Sequence, residues 1–166
     1  MPDPGLSLGS PSVSSIIDGQ RVVTAGARAL PSTNPADTAD LVATVALAEP
    51  ADFVAAARAA RSAQPAWAEV PAPIRGQVIA NVGRLVAANA DRLAALITRE
   101  IGKPLAEARG EVQEIIDTCD FFLGEGRRLY GQTVPSEMPD KQLFTFRTPV
   151  GVAAVITAGN FPVAVP

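Results

Sequence analysis

The sequence predicts an α/β fold in which a layer of helices precedes the main sheet. Three observations carry the prediction. A hairpin signal lies at residues 16–23, helical apolar spacing fills residues 51–123, and a short apolar run at Val152, Val155 and Ile156 ends on Gly159 and Asn160. Strand, then helices, then strand is the order of an α/β chain.

Residues 1–15 are rich in Pro, Gly and Ser and are expected to form a mobile tail. In the stretch from Ile16 to Val23, Asp18 and Gly19 separate apolar β-formers, which suits a two-residue turn at positive φ. Residues 26–40 read as a loop of Pro, Ser, Asn and Asp, and residues 41–47 as a second strand. Residues 51–61 read as an Ala-rich helix with Pro50 near its first turn, and Pro65 to Trp67 breaks that pattern.

Residues 74–88 place Ile74, Val78, Val82, Leu85 and Val86 on one face. Gly76 and Gly83 weaken this helix by roughly 1 kcal/mol each relative to Ala, so packing must hold it. Asp91 opens a continuation with Leu93, Leu96, Ile97 and Ile101 inward, which Gly102 caps and Pro104 stops. Residues 105–123 form a third long helix whose stripe is Val112, Ile115, Ile116, Cys119, Phe122 and Leu123. Residues 124–131 fray into a turn. Residues 133–148 carry Pro135, Pro139 and an alternating strand pattern from Leu143 to Phe146.

Val152 to Thr157 reads as a strand of the kind that fills the middle of a parallel sheet. Ala158 and Gly159 let the backbone turn sharply after it. Asn160 then stands past the carboxyl end of the strand, where open α/β sheets place their ligands.

Composition narrows the function. With 166 residues, 48% hydrophobic and 19% charged, the chain has the makings of a globular domain with a sizeable core. A net charge of -3 argues against a nucleic acid or an anionic membrane held by bulk charge. There is no His, so these residues alone build neither a Ser–His or Cys–His nucleophile nor a His-ligated metal, and no metal site is expected. The one Cys forms no internal disulfide framework and fits a reducing compartment. Without a signal peptide pattern or an apolar run of about 18 residues, a soluble, cytoplasmic protein is expected.

Several motifs in order then point to a family. These are Ile16-Ile17-Asp18-Gly19-Gln20; Asn34-Pro35 followed by residues 42–45; Trp67 and Arg75; Glu100-Ile101-Gly102-Lys103-Pro104; Ala108-Arg109-Gly110-Glu111-Val112; and Pro149-Val150-Gly151-Val152 with Ile156-Thr157-Ala158-Gly159-Asn160-Phe161-Pro162. Together they resemble the amino-terminal third of the aldehyde dehydrogenase superfamily, from about residue 16 to residue 166. The fold implied is an incomplete one: β-hairpin, helical layer and first strand of a Rossmann-like sheet. Residues 16–132 match the N-terminal part of the cofactor-binding domain. Residues 133–148 match part of an oligomerisation ribbon, and residues 149–166 match the start of the Rossmann-like core with its catalytic Asn loop.

The resemblance implies oxidation of an aldehyde to a carboxylate with NAD or NADP. A Cys thiolate adds to the aldehyde, a hydride leaves to the cofactor, and a Glu-activated water hydrolyses the thioester. Asn160 matches the Asn whose amide donates to the developing oxyanion, a donor whose loss typically raises a barrier by roughly 3–4 kcal/mol. Ile156, Thr157, Ala158 and Gly159 match positions that line the cofactor, largely through backbone atoms. Most members carry Pro-Trp where this chain has Ala158-Gly159, and Ala at the first position resembles the semialdehyde-oxidising branches. The family's nucleophilic Cys, general-base Glu and phosphate-contacting segment match no part of these residues, so a longer native chain is expected, assembled as a homo-oligomer (dimer or tetramer).

The other notable residues have plainer readings. Asn160 also suits a simple turn. Cys119 lies on an apolar stripe with no basic neighbour, which marks a structural thiol. Lys103 sits at a helix end, where a cation complements the dipole. Trp67, Phe121, Phe122, Phe144 and Phe146 read as core or interface, and Arg127-Arg128 and Asp117-Asp120 as solvated faces. An alternative function stays open: a non-catalytic relative that pairs with a full-length subunit through residues 133–148.

Overall fold

The computed structural model describes residues 11–166. β1 (Ser12–Val13) pairs in parallel with β5 (Asp37–Ala46), and β4 (Ala29–Asn34) pairs antiparallel on the other side of β5. β2 (Ser15–Ile17) and β3 (Gln20–Val22) make a separate hairpin. Its turn residues Asp18 and Gly19 have φ of 51° and 73°, as the Asp-Gly signal predicts. Four helices follow: α1 (Pro50–Glu69), α2 (Ala72–Ala88), α3 (Ala90–Ile101) and α4 (Leu105–Glu125). A short antiparallel ribbon, β6 (Thr133–Val134) with β7 (Leu143–Phe144), comes next.

Several expectations are corrected. The tail expected over residues 1–15 gives way to β1, because Ser12 and Val13 find an open edge at Thr44 and Val45; residues 1–10 lie outside the described residues. The loop expected at residues 26–40 contains β4. Pro31 is tolerated there because β4 is an edge strand. α1 runs through Pro65 to Glu69 instead of breaking. Arg61, whose carbonyl loses its helical donor at Pro65, is exposed, so water can take that place. The end of α1 is held by Arg75, whose guanidinium donates to the carbonyls of Ala68 (3.2 Å) and Val70 (2.9 Å).

α2 turns most of its expected apolar stripe away from the core, and of that stripe Val86 packs on it. Ile74, Val78, Val82 and Leu85 are exposed, and the buried residues are Gly76, Ala80 and Gly83. A side chain on Gly83 would put its Cβ 2.8 Å from Cβ of Cys119, and one on Gly76 would meet the Leu123 carbonyl at 2.9 Å. The glycines that cost α2 intrinsic stability therefore let it lie directly against α4. Trp67, Phe121, Phe122, Phe144 and Phe146 are likewise exposed, so none belongs to the core.

The core lies between α3 and α4. Ala94, Ile97, Ala108 and Val112 are buried together, with Leu93, Ile101, Ile116 and Val163 packed on them. At the end of α3, Gly102 adopts a left-handed φ of 75° and donates its N–H to the Thr98 carbonyl (2.9 Å). A Cβ there would also meet Pro35 Cγ at 3.0 Å, so this corner sits tightly on the β4–β5 turn. The same side of the layer is fixed by Arg99, which bonds both oxygens of Asp40 (2.5 and 2.8 Å) and the Leu41 carbonyl (2.9 Å). That pairing, with Asn34, holds the Asp40 carboxyl down to about 2.

The strand expected over residues 152–157 does not form. Val150 and Ile156 are 97% and 96% exposed. A central parallel strand is defined by neighbours on both sides, and no strand among the described residues lies beside this run.

Candidate functional site

The exposed run ends in a turn at residues 159–164. Its first half is the sequence-predicted site. Ile156, Thr157, Ala158 and Gly159 form the exposed lead-in, and Asn160 sits exposed on the turn itself. Among the described residues this lead-in makes no backbone hydrogen bond with another element. The five predicted residues are adjacent in the chain and all exposed.

The second half of the turn is tied down. Glu111 of α4 is 2% exposed, and its Oε1 accepts the backbone N–H groups of Val163 (3.0 Å) and Ala164 (3.1 Å). Its Oε2 accepts Lys103 Nζ at 2.6 Å. The Lys103 ammonium also lies 4.0 Å from the centroid of the Phe161 ring, a cation–π distance. The Phe161 carbonyl accepts the N–H of Val165 (3.4 Å), which closes the turn on itself. Burial pushes the Glu111 carboxyl up, but the Lys103 bond and the two backbone amides outweigh it and leave it below its ordinary value.

Lys103 therefore does more than complement a helix dipole: it pairs with a buried acid. Sequence reasoning missed Glu111. The available signal was an acid on the apolar face of α4, one residue before Val112 and three after Ala108. A charge in that position needs a cation and donors, and Lys103 stands eight residues earlier, across the α3–α4 corner. Cys119 is buried against Gly83, in agreement with a structural thiol.

The model of the aldehyde dehydrogenase family matches residues 22–166, nearly the whole chain. The chain belongs to the aldehyde dehydrogenase family. It is 41% identical over 160 residues to aldehyde dehydrogenase family 7 member A1 of Pisum sativum, covering 96% of this chain and 31% of that protein. It is 43% identical over 124 residues to alpha-aminoadipic semialdehyde dehydrogenase of Bos taurus, covering 75% of this chain and 23% of that protein. Among solved structures it is similar to an NADP-dependent enzyme of Escherichia coli, with a TM-score of 0.87 and 38% identity over 92% of this chain and 31% of that one. The chain thus spans about a third or less of the length of these aldehyde dehydrogenases and corresponds to the N-terminal part of their α/β fold. The likeness to a semialdehyde branch agrees with Ala158. No helix among the described residues is long and apolar enough to cross a membrane.

Proposed function

We propose that this chain supplies the oxyanion corner of an NAD(P)-dependent aldehyde dehydrogenase whose substrates are semialdehydes. The observation that carries the reading is the placement of Asn160: exposed, on a turn, and fastened on its far side to the helical core through Glu111. An amide held there donates to a carbonyl oxygen that gains charge, and needs no proton equilibrium to do so. Cys119 is buried in the α2–α4 contact, so the thiolate that adds to the aldehyde carbon must come from outside these residues. As that bond forms, the carbonyl electron pair moves to oxygen, where the Asn160 amide meets it in the thiohemiacetal.

A bound nicotinamide cofactor would supply the hydride acceptor for this chemistry. Ile156, Thr157, Ala158 and Gly159 suit its approach, since these residues are exposed and positions 158 and 159 carry little side-chain bulk. Residues 16–132 act as the N-terminal part of the cofactor-binding domain, and residues 149–166 start its Rossmann-like core. Residues 133–148 serve as part of an oligomerisation ribbon, which the exposed Phe144 and Phe146 support, with a second copy of the protein as partner.

The test is aldehyde-dependent reduction of NAD and NADP by the intact native protein, with aminoadipate semialdehyde and succinate semialdehyde offered. Asn160→Ala is expected to lower kcat by about 100- to 1000-fold with little change in KM. A native protein that oxidises no aldehyde, or an Asn160→Ala variant with full kcat, refutes the reading.

A further inference from the structure

We propose that the Lys103–Glu111 pair is a positioning device for Asn160, which ties the catalytic loop to the helical layer from its far side. This rests on the oxyanion reading of Asn160. Glu111 is the charged side chain buried in the core of the described residues, on the face of α4 that also buries Ala108 and Val112. Burying a carboxylate is costly unless its lone pairs are used. Here one oxygen takes the ammonium of Lys103, and the other takes two consecutive backbone amides, Val163 and Ala164. Two successive N–H groups converging on one anion is how a backbone nest holds a ligand. The scaffold thus grips the turn as it would grip a bound molecule.

The second grip is Lys103 over the Phe161 ring, the residue that directly follows Asn160. Lys103 directly follows the left-handed Gly102 that ends α3. Contacts at residues 161, 163 and 164 therefore fix the chain immediately after Asn160, while the residues before it hold no partner of their own among the described elements.

Stability alone does not call for this arrangement. A well-packed apolar pair usually stabilises a core as well as a buried ion pair does. What an apolar pair cannot do is accept two amides at set points. An oxyanion donor needs that accuracy, since a misplacement of about 1 Å can cost on the order of 100-fold in rate.

This difference provides the test, made on the intact native protein. In Lys103→Met/Glu111→Leu the core keeps its volume and loses the grip. Amide hydrogen exchange at Val163 and Ala164 is expected to quicken about tenfold or more, while Val112 and Ile116 keep their protection. In the same variant kcat for aldehyde oxidation falls about 10- to 100-fold at nearly unchanged KM. Lys103→Met/Glu111→Gln leaves a carbonyl able to accept both amides, and is expected to recover most of the loss. Unchanged exchange at Val163 and Ala164, or an unchanged kcat beside a strongly impaired Asn160→Ala, overturns the proposal. Loss of protection at Val112 together with the turn, in both double variants, also overturns it, because the pair then serves only stability. If exchange quickens but Asn160→Ala keeps full kcat, the tether stands and the oxyanion reading falls.

Discussion

Asn160 stands between two segments of opposite character. The residues before it are the more apolar, yet they lie exposed, with Ile156 at 96% and Val155 at 75%. The residues after it form a single turn, yet Val163 packs on the core and its backbone is bound by a buried acid. The contrast separates hydrophobicity from partnership. A strand becomes a strand when neighbouring backbones take its N–H and C=O groups, and no apolar side chain can substitute for that. A turn needs far less, and here one carboxylate takes two of its amides.

The largest expected effect comes from breaking the better-held side. Lys103→Met alone leaves Glu111 buried and charged beside no cation. That imbalance is expected to cost about 3–5 kcal/mol, measured as a lowered urea midpoint of the purified protein. Glu111→Met should cost less, because Lys103 can turn its ammonium to water along a flexible stem. Equal losses in the two variants would mean that the carboxylate is already solvated, and the distinction between the two sides of Asn160 would weaken.

Next in size is the seat of α4, from which the tether hangs. A Cβ added at Gly126 would lie 2.6 Å from the carbonyl oxygen of Ala72, a backbone atom with no room to give. Gly126→Ala is expected to lose about 1–3 kcal/mol. Gly110→Ala on the same helix meets nothing within 4 Å and is expected to gain up to about 1 kcal/mol. Thermal melts of the two variants should therefore move in opposite directions. A shift of both the same way would show that α4 does not press on α2 as described.

The helices were the legible part of this fold, since a period of 3.6 shows in any amphipathic stretch. Which side of α2 is buried was not legible. The stripe of Ile74, Val78 and Val82 looks like a core face, and the decisive fact is that α4 comes too close for any side chain at Gly76 or Gly83. β4 was hidden because an edge strand may carry Pro31, Ser32 and Asn34, which together spell a loop. Asn160 and its turn were visible as a motif. The tether was not, because it joins residues 52 and 53 positions apart, and only the misplaced acid on the α4 stripe hinted at it.

Acid should release the held side at an effect smaller than the substitutions. The Glu111 carboxyl is lowered on folding, so its contribution is fully present above its unfolded value, near 4.5, and is lost as pH falls through the folded value. Asp40 behaves alike, with its support from Arg99 present above 3.8 and lost as pH falls toward about 2. Exchange at the Val163 and Ala164 amides, corrected for its intrinsic pH dependence, should quicken as pH falls below 4.5 and through the folded value of Glu111. Exchange at these two amides that stays unchanged while Glu111 is protonated would show that its charge does not hold the turn.

The smallest effect belongs to the free side. Gly159 has open space where a Cβ would go, and its φ lies outside the left-handed region. Gly159→Ala should therefore leave stability within about 0.5 kcal/mol, as expected for an exposed position without partners. The same Gly→Ala change is costly at Gly126, so the pair compares one substitution in two settings, one on each side of the Asn160 turn's support. A neutral melt for Gly159→Ala, joined to a loss of NAD or NADP affinity in the intact native protein, would assign this glycine to the approach of a ligand and not to the fold. A clear loss of stability would instead mean that residues 156–159 are packed, and that the two sides of Asn160 are held alike.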